Sequence, residues 1–123
     1  MLPLDDVLVL EIGSSISGSY CCKILADYGA NIVKIETIDG DSLREEAPFI
    51  TDSSNVDHST LFLSLNTGKK SISVDFDSEK SIEIIAQLAQ KADIIIDGTP
   101  PGFLETKGII FSDLLENNPD LVI

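Results

Sequence analysis

The chain has 123 residues and carries 21 Asp and Glu against eight Lys and Arg, a formal charge of -13. That balance argues against nucleic acid or an anionic membrane surface as partner. The acidic start MLPLDD has no basic leader, and no apolar run approaches the ~20 residues of a bilayer span, so a soluble, cytoplasmic, unexported protein is expected.

In chain order, residues 7–10 read as a buried strand and residues 18–36 as one helix turning directly into a second strand. Tyr20, Cys21, Ile24, Leu25 and Tyr28 recur at helical spacing, Gly29 supplies a left-handed stop, and Ile32, Val33 and Ile35 resume at strand density. Strand, Ser/Gly turn, helix and strand make a βαβ crossover, the opening of an α/β domain. Tyr20 and Cys21 fall on the apolar helix face and are expected in the core. Cys21 and Cys22 are adjacent, so their side chains diverge by about 100°, which argues against a disulfide between them and fits a reducing compartment.

Residues 37–59 are polar and without period, a long loop of the kind that is functional or mobile. Asp5, Asp6, Asp39, Asp41, Glu45 and Glu46 read as solvated charge, with Gly40, Asp41 and Arg44 able to tie the loop down. Leu61, Phe62, Leu63 and Leu65 form a short apolar patch before an Asn66-Thr67-Gly68 turn. Lys69 and Lys70 follow it, either steering an anionic ligand or marking a solvated hairpin-like turn. Ile72, Val74 and Phe76 alternate with Ser73 and Asp75 as a half-buried strand. Ser78 is placed to cap a helix to about Lys91 that buries Ile82, Ile85, Ala86 and Ala89. Residues 94–96 make the next strand, and Thr99-Pro100-Pro101-Gly102 breaks the chain. A helical turn over 103–107 and a helix capped by Ser112 through Asn117 follow, and 121–123 read as the opening of another buried strand.

This alternation predicts a Rossmann-like three-layer α/β fold with a mainly parallel sheet, one unit over residues 1–123. The strand-like ending predicts that it is the N-terminal part of a larger domain. Gly18, between Ser17 and Ser19, opens a helix after a strand, where N–H groups either hold an anion or are simply capped. The turn Gly13-Ser14-Ser15-Ile16-Ser17-Gly18 lacks the glycine spacing of a dinucleotide fold. His58 has no second ligand at metal spacing, so no metal site is expected.

Val9-Leu10-Glu11, Leu25-Ala26-Asp27-Tyr28-Gly29-Ala30, Val33-Lys34-Ile35-Glu36, Gly40-Asp41-Ser42-Leu43-Arg44, Leu65-Asn66-Thr67-Gly68-Lys69-Lys70-Ser71, Ala92-Asp93 and Pro101-Gly102 fall in an order that resembles family III CoA-transferases, which include formyl-CoA transferase, carnitine CoA-transferase and alpha-methylacyl-CoA racemase. The resemblance implies coenzyme A or acyl-CoA thioesters as substrates and no permanently bound cofactor. It also implies an aspartate nucleophile beyond Ile123, so no catalytic residue is expected in this chain and the chain alone is expected to be inactive. A homo-oligomer, or the missing C-terminal part, is the implied protein partner. The implied CoA-binding residues are Ser17, Gly18, Val74, Asp75, Phe76, Gly98 and Lys107. Where the family commonly carries cations, Thr37, Asp77 and Thr106 stand here, with Lys107 beside the last, and Ser17-Gly18-Ser19 replaces a small Ala-Gly-Pro turn. Those departures leave open a second reading, a non-catalytic interaction module with a degenerate site.

Overall fold

β1 (Leu8–Ile12) is buried on both faces at the centre of a wholly parallel sheet in the computed structural model, which describes residues 1–51 and 57–123. β2 (Asn31–Thr37) and β3 (Lys70–Val74) lie on one side of it and β4 (Ile94–Asp97) on the other, giving the order β3-β2-β1-β4. Leu10 pairs with Val33 of β2 and Ile95 of β4, so the three most apolar strands stand side by side. Val122 forms a single parallel bridge to Ile94, at the 121–123 segment expected to extend the sheet.

Helix α1 (Ile16–Asp27) links β1 to β2, and α2 (Thr60–Asn66) precedes β3 and contacts α1 on the same face. α3 (Glu79–Ala89), α4 (Phe103–Thr106) and α5 (Phe111–Asn117) bring Ile85, Leu104 and Leu114 to the opposite face. There they meet Leu10, Ile12, Ile35, Val74 and Ile95 in the main core. Each such side chain, removed from water, stabilises the fold by roughly 1.5–3 kcal/mol. Among the described residues no helix is long and apolar enough to cross a membrane.

Several local expectations change in three dimensions. Residues 61–65 are helical, because Ser59 caps α2 by accepting the Phe62 N–H at 3.2 Å. β3 ends at Val74, short of Phe76. Ser78 precedes α3 without a side-chain cap, and Ser112 lies inside α5 rather than ahead of it. The long loop holds a 3₁₀ turn at Ser42–Glu45; Asp52, Ser53, Ser54 and Asn55 of that loop lie outside the described residues.

Tyr20 and Cys21 are exposed, against the expectation that they are core. α1 instead packs through Gly18, Ser19 and Cys22, small residues that let its backbone approach the sheet. Its large apolar side chains, Ile16, Tyr20, Ile24 and Tyr28, fall every fourth residue along the outer side. The turn after it is as expected: Gly29 has φ +108°, and an added Cβ there would sit 2.6 Å from Leu2 Cβ.

Candidate functional site

On β1 and β2 the sheet face under α1 is apolar only where the strands begin. Val9 and Ile32 pack there with Cys22 and Ala30, but the next residues pointing the same way are Glu11, Lys34 and Glu36. Glu11 and Lys34 are direct neighbours in the β1–β2 register. Lys34 Nζ lies 2.7 Å from Glu11 Oε1 and 2.6 Å from Asp41 Oδ2, with all three side chains buried. Ser19 donates to the same Glu11 oxygen at 2.7 Å, and Lys69 reaches Glu11 Oε2 at 2.7 Å from the turn before β3. Lys69 also donates to Ser19 O and Asn66 Oδ1.

Next to this group, Arg44 holds Glu36 through two 3.0 Å hydrogen bonds while its guanidinium lies 3.9 Å from the Phe62 ring centre. Ser71 and the Asp41 amide complete the Glu36 carboxylate at 2.6 and 2.8 Å. The set is neutral, three acids against three bases, which is how five buried charges and the partly exposed Arg44 are accommodated together.

Burial works against Glu11 and Glu36, yet their partners win. Glu11 is held below the usual carboxylate range by Lys34, Lys69 and Ser19, and Glu36 is brought down to about 2 by Arg44, Ser71 and the Asp41 amide. Lys34 is pushed up despite burial by Asp41 and Glu11, whereas for Lys69 burial prevails and its pKa falls. Cys22 is pushed up to about 12, by burial first and the Glu11 charge second. Asp41 is therefore not solvated charge, and Lys69, with its side chain 2% exposed, is neither a solvated turn residue nor free to steer a ligand. The Gly40-Asp41-Arg44 segment is tied down, but by Lys34 and Glu36 rather than by its own acid and base.

The concave surface lies at the carboxyl ends of the strands. The chain runs from β1 outward through β2 and β3, then crosses the sheet to β4, so the topological switch falls between β1 and β4, where open α/β sheets bind ligands. A cavity of about 290 Å³ opens there, with Gly13, Ser14, Gly98 and Thr99 at its polar edge and Ile35, Phe76, Pro100 and Phe103 as apolar wall. Gly13 has φ +95°, and a Cβ on it would stand 2.7 Å from the Gly98 carbonyl carbon. A Cβ on Gly98 would stand 2.4 Å from Ser15 Oγ. Beside it a shallower mouth of about 440 Å³ is bounded by Thr37, Asp39, Asp75, Asp77 and Lys107. Phe76 and Phe103, packed edge to face at 5.6 Å, form the partition between the two.

Of the residues singled out in the sequence, Val74, Asp75, Phe76 and Lys107 come together at the mouth, and Gly98 meets Phe76 in the inner cavity. Gly18 lies behind Gly98, 3.9 Å from its Cα by an added Cβ, and Ser17 is exposed on the first turn of α1. The Gly18 N–H donates to Ser15 Oγ at 3.1 Å and the Gly98 N–H to Ile12 O at 2.7 Å. Both amides are thus occupied, and what the glycines offer is close approach rather than hydrogen-bond donors. Thr37, Asp77 and Thr106, singled out as missing cations, lie at or beside the mouth, where Asp77 is paired with Lys107. The part played by Gly13, Thr99 and Pro100 was not legible as chemistry; the signal was topological, the loops after the first and last strands.

A model of CoA-transferase family III matches residues 4–123. The chain is 34% identical over 119 residues to succinyl-CoA:mesaconate CoA-transferase of Haloarcula hispanica, covering 97% of this chain and 30% of that protein. It is 32% identical over 119 residues to (R)-2-hydroxy-4-methylpentanoate CoA-transferase of Clostridioides difficile, again covering 97% of this chain and 30% of that one. Among solved structures, a CAIB/BAIF family protein from Brucella suis superposes with a TM-score of 0.87 at 32% identity, over 98% of this chain and 32% of that chain. The chain thus spans under a third of the length of these relatives.

Proposed function

Since the chain belongs to CoA-transferase family III, we propose that it forms the CoA-facing wall of an acyl-CoA site whose reactive carboxylate is supplied by polypeptide C-terminal to residue 123. Residues 1–123 act as one Rossmann-like unit of a larger domain. The observation that carries this reading is the crevice at the β1–β4 switch, where two glycines hold the backbone open beside an aromatic partition. Its apolar wall suits the flat adenine or the pantetheine arm of CoA, and the reading is supported by Lys107, a cation at the mouth whose chemistry suits a phosphate. Thioester exchange through a carboxylate needs the nucleophile against the carbonyl and donors for the oxyanion. The chain on its own therefore binds without turning over, keeps no permanent cofactor, and works with the rest of its polypeptide or a second copy in the cytoplasm.

The second reading is an interaction module with a degenerate site, favoured by Thr37, Asp77 and Thr106 at or beside the mouth. Titration of CoA into the chain by calorimetry separates the two. A dissociation constant of millimolar or tighter is the expected result; no heat at high CoA concentration refutes the acyl-CoA reading and leaves the module.

A further inference from the structure

Eight side chains in the whole sequence carry a fixed positive charge. Lys34, Lys69 and Arg44 are committed to the buried network, and of the described residues lining the crevice and its mouth Lys107 is the one cation. It is not free. Its ammonium is in contact with Asp77 Oδ1, across from the end of β3, and it lies 5.7 Å from the centre of the Phe103 ring. Asp39 and Asp75 line the same mouth. The Asp77 carboxylate is 81% exposed, and among the described residues Lys107 is its one side-chain partner. Nothing in the fold therefore requires Asp77 to be an acid, and its effect falls on Lys107.

We propose that Asp77 is a specificity-determining residue of this site: by pairing with Lys107 at the crevice mouth it masks the one cation available to a phosphate, and so sets how strongly phosphorylated ligands are held. This rests on the acyl-CoA reading and adds to it the residue that weakens the nucleotide end. A phosphate reaching Lys107 must displace the Asp77 carboxylate and tolerate Asp39 and Asp75 nearby, whereas the uncharged pantetheine arm meets no such barrier.

Calorimetric titrations of CoA, dephospho-CoA and pantetheine into the wild-type chain, Asp77→Asn and the double variant Asp77→Asn/Lys107→Gln test this, with circular dichroism confirming the fold of each. Asp77→Asn is expected to bind CoA roughly three- to fivefold more tightly, the range open to an exposed ion pair, with a steeper salt dependence. Pantetheine affinity is expected to stay the same, and the gain to vanish in the double variant. A gain equal for CoA and dephospho-CoA assigns Lys107 to the pyrophosphate, and one confined to CoA assigns it to the ribose phosphate; either supports the proposal. Unchanged CoA affinity in Asp77→Asn, an equal gain for pantetheine, or a gain that survives loss of Lys107 overturns it while the acyl-CoA reading stands. Absence of CoA binding to wild type and variant alike overturns both.

Discussion

Replacing Lys34 by methionine keeps most of the apolar stem of the side chain and deletes the ammonium, with its charge and its hydrogen bonds. Glu11 would keep Ser19 on one oxygen and Lys69 on the other, but Asp41 Oδ2 would lose the ammonium that faces it at 2.6 Å, in a pocket where Asp41 is 3% exposed. Breaking a buried ion set by removing one member costs about 3–5 kcal/mol. Since Lys69 still neutralises Glu11, the lower end, about 3 kcal/mol, is expected here, a large share of the ~5–15 kcal/mol that holds a typical domain together. Urea unfolding followed by far-ultraviolet circular dichroism measures it directly. Lys23→Met is the control: Lys23 pairs with Asp27 one turn on along the same helix, and that half-exposed pair is expected to contribute less than about 1 kcal/mol. A Lys34→Met loss below about 1 kcal/mol, or one equal to that of Lys23→Met, would refute the view that the network is structurally indispensable.

Two further outcomes follow from the same face of the sheet. Glu36 has its folded-state pKa depressed from 4.5 to about 2, so its contribution is complete above pH 4.5 and is lost as pH falls toward 2. The full gap corresponds to roughly 3 kcal/mol, and solvent around the partly exposed Arg44 screens it to about 2 kcal/mol; the stability difference between wild type and Glu36→Gln should be flat near neutrality and shrink below pH 4.5, and a pH-independent difference would contradict this. The thiols should separate as well: exposed Cys21 reacts with an aromatic disulfide reagent under native conditions while buried Cys22, its pKa raised to about 12, reacts only on unfolding, and equal rates would show that α1 is not seated as described.

The strands were legible because a parallel sheet covered on both faces demands dense apolar runs, and residues 7–10, 32–35 (interrupted at Lys34) and 94–96 supply them. Gly29 marked the end of α1 because few other residues accept its φ. The orientation of α1 was not legible, since two stripes compete along it. The large apolar one at 16, 20, 24 and 28 looks like a core face, yet the small one at 18, 19 and 22 is buried because the opposing sheet surface carries Glu11, Lys34 and Glu36. Asp41 and Lys69 misled for a related reason. Charges inside polar segments look solvated, and only the strand register reveals that four chain segments bring their partners to one spot. Much of the ordered likeness to the family, at residues 9–11, 33–36, 40–44 and 65–71, turns out to include this ionic interior. Ile35, Glu36 and Asp41 of those segments also line the crevice, whereas the expected departures Thr37 and Asp77 stand at its mouth.

Setting that neutral interior aside leaves, among the described residues, five bases and 17 acids, so an excess of -12 resides on the outside. The helical ridge of Ile16, Tyr20, Ile24 and Tyr28 is therefore a greasy strip on an anionic particle. Mutual repulsion keeps such particles apart in dilute buffer, and electrolyte that shortens the reach of the field lets the strips meet. Attraction between copies should grow with ionic strength, the reverse of what a surface held by opposite charges would do.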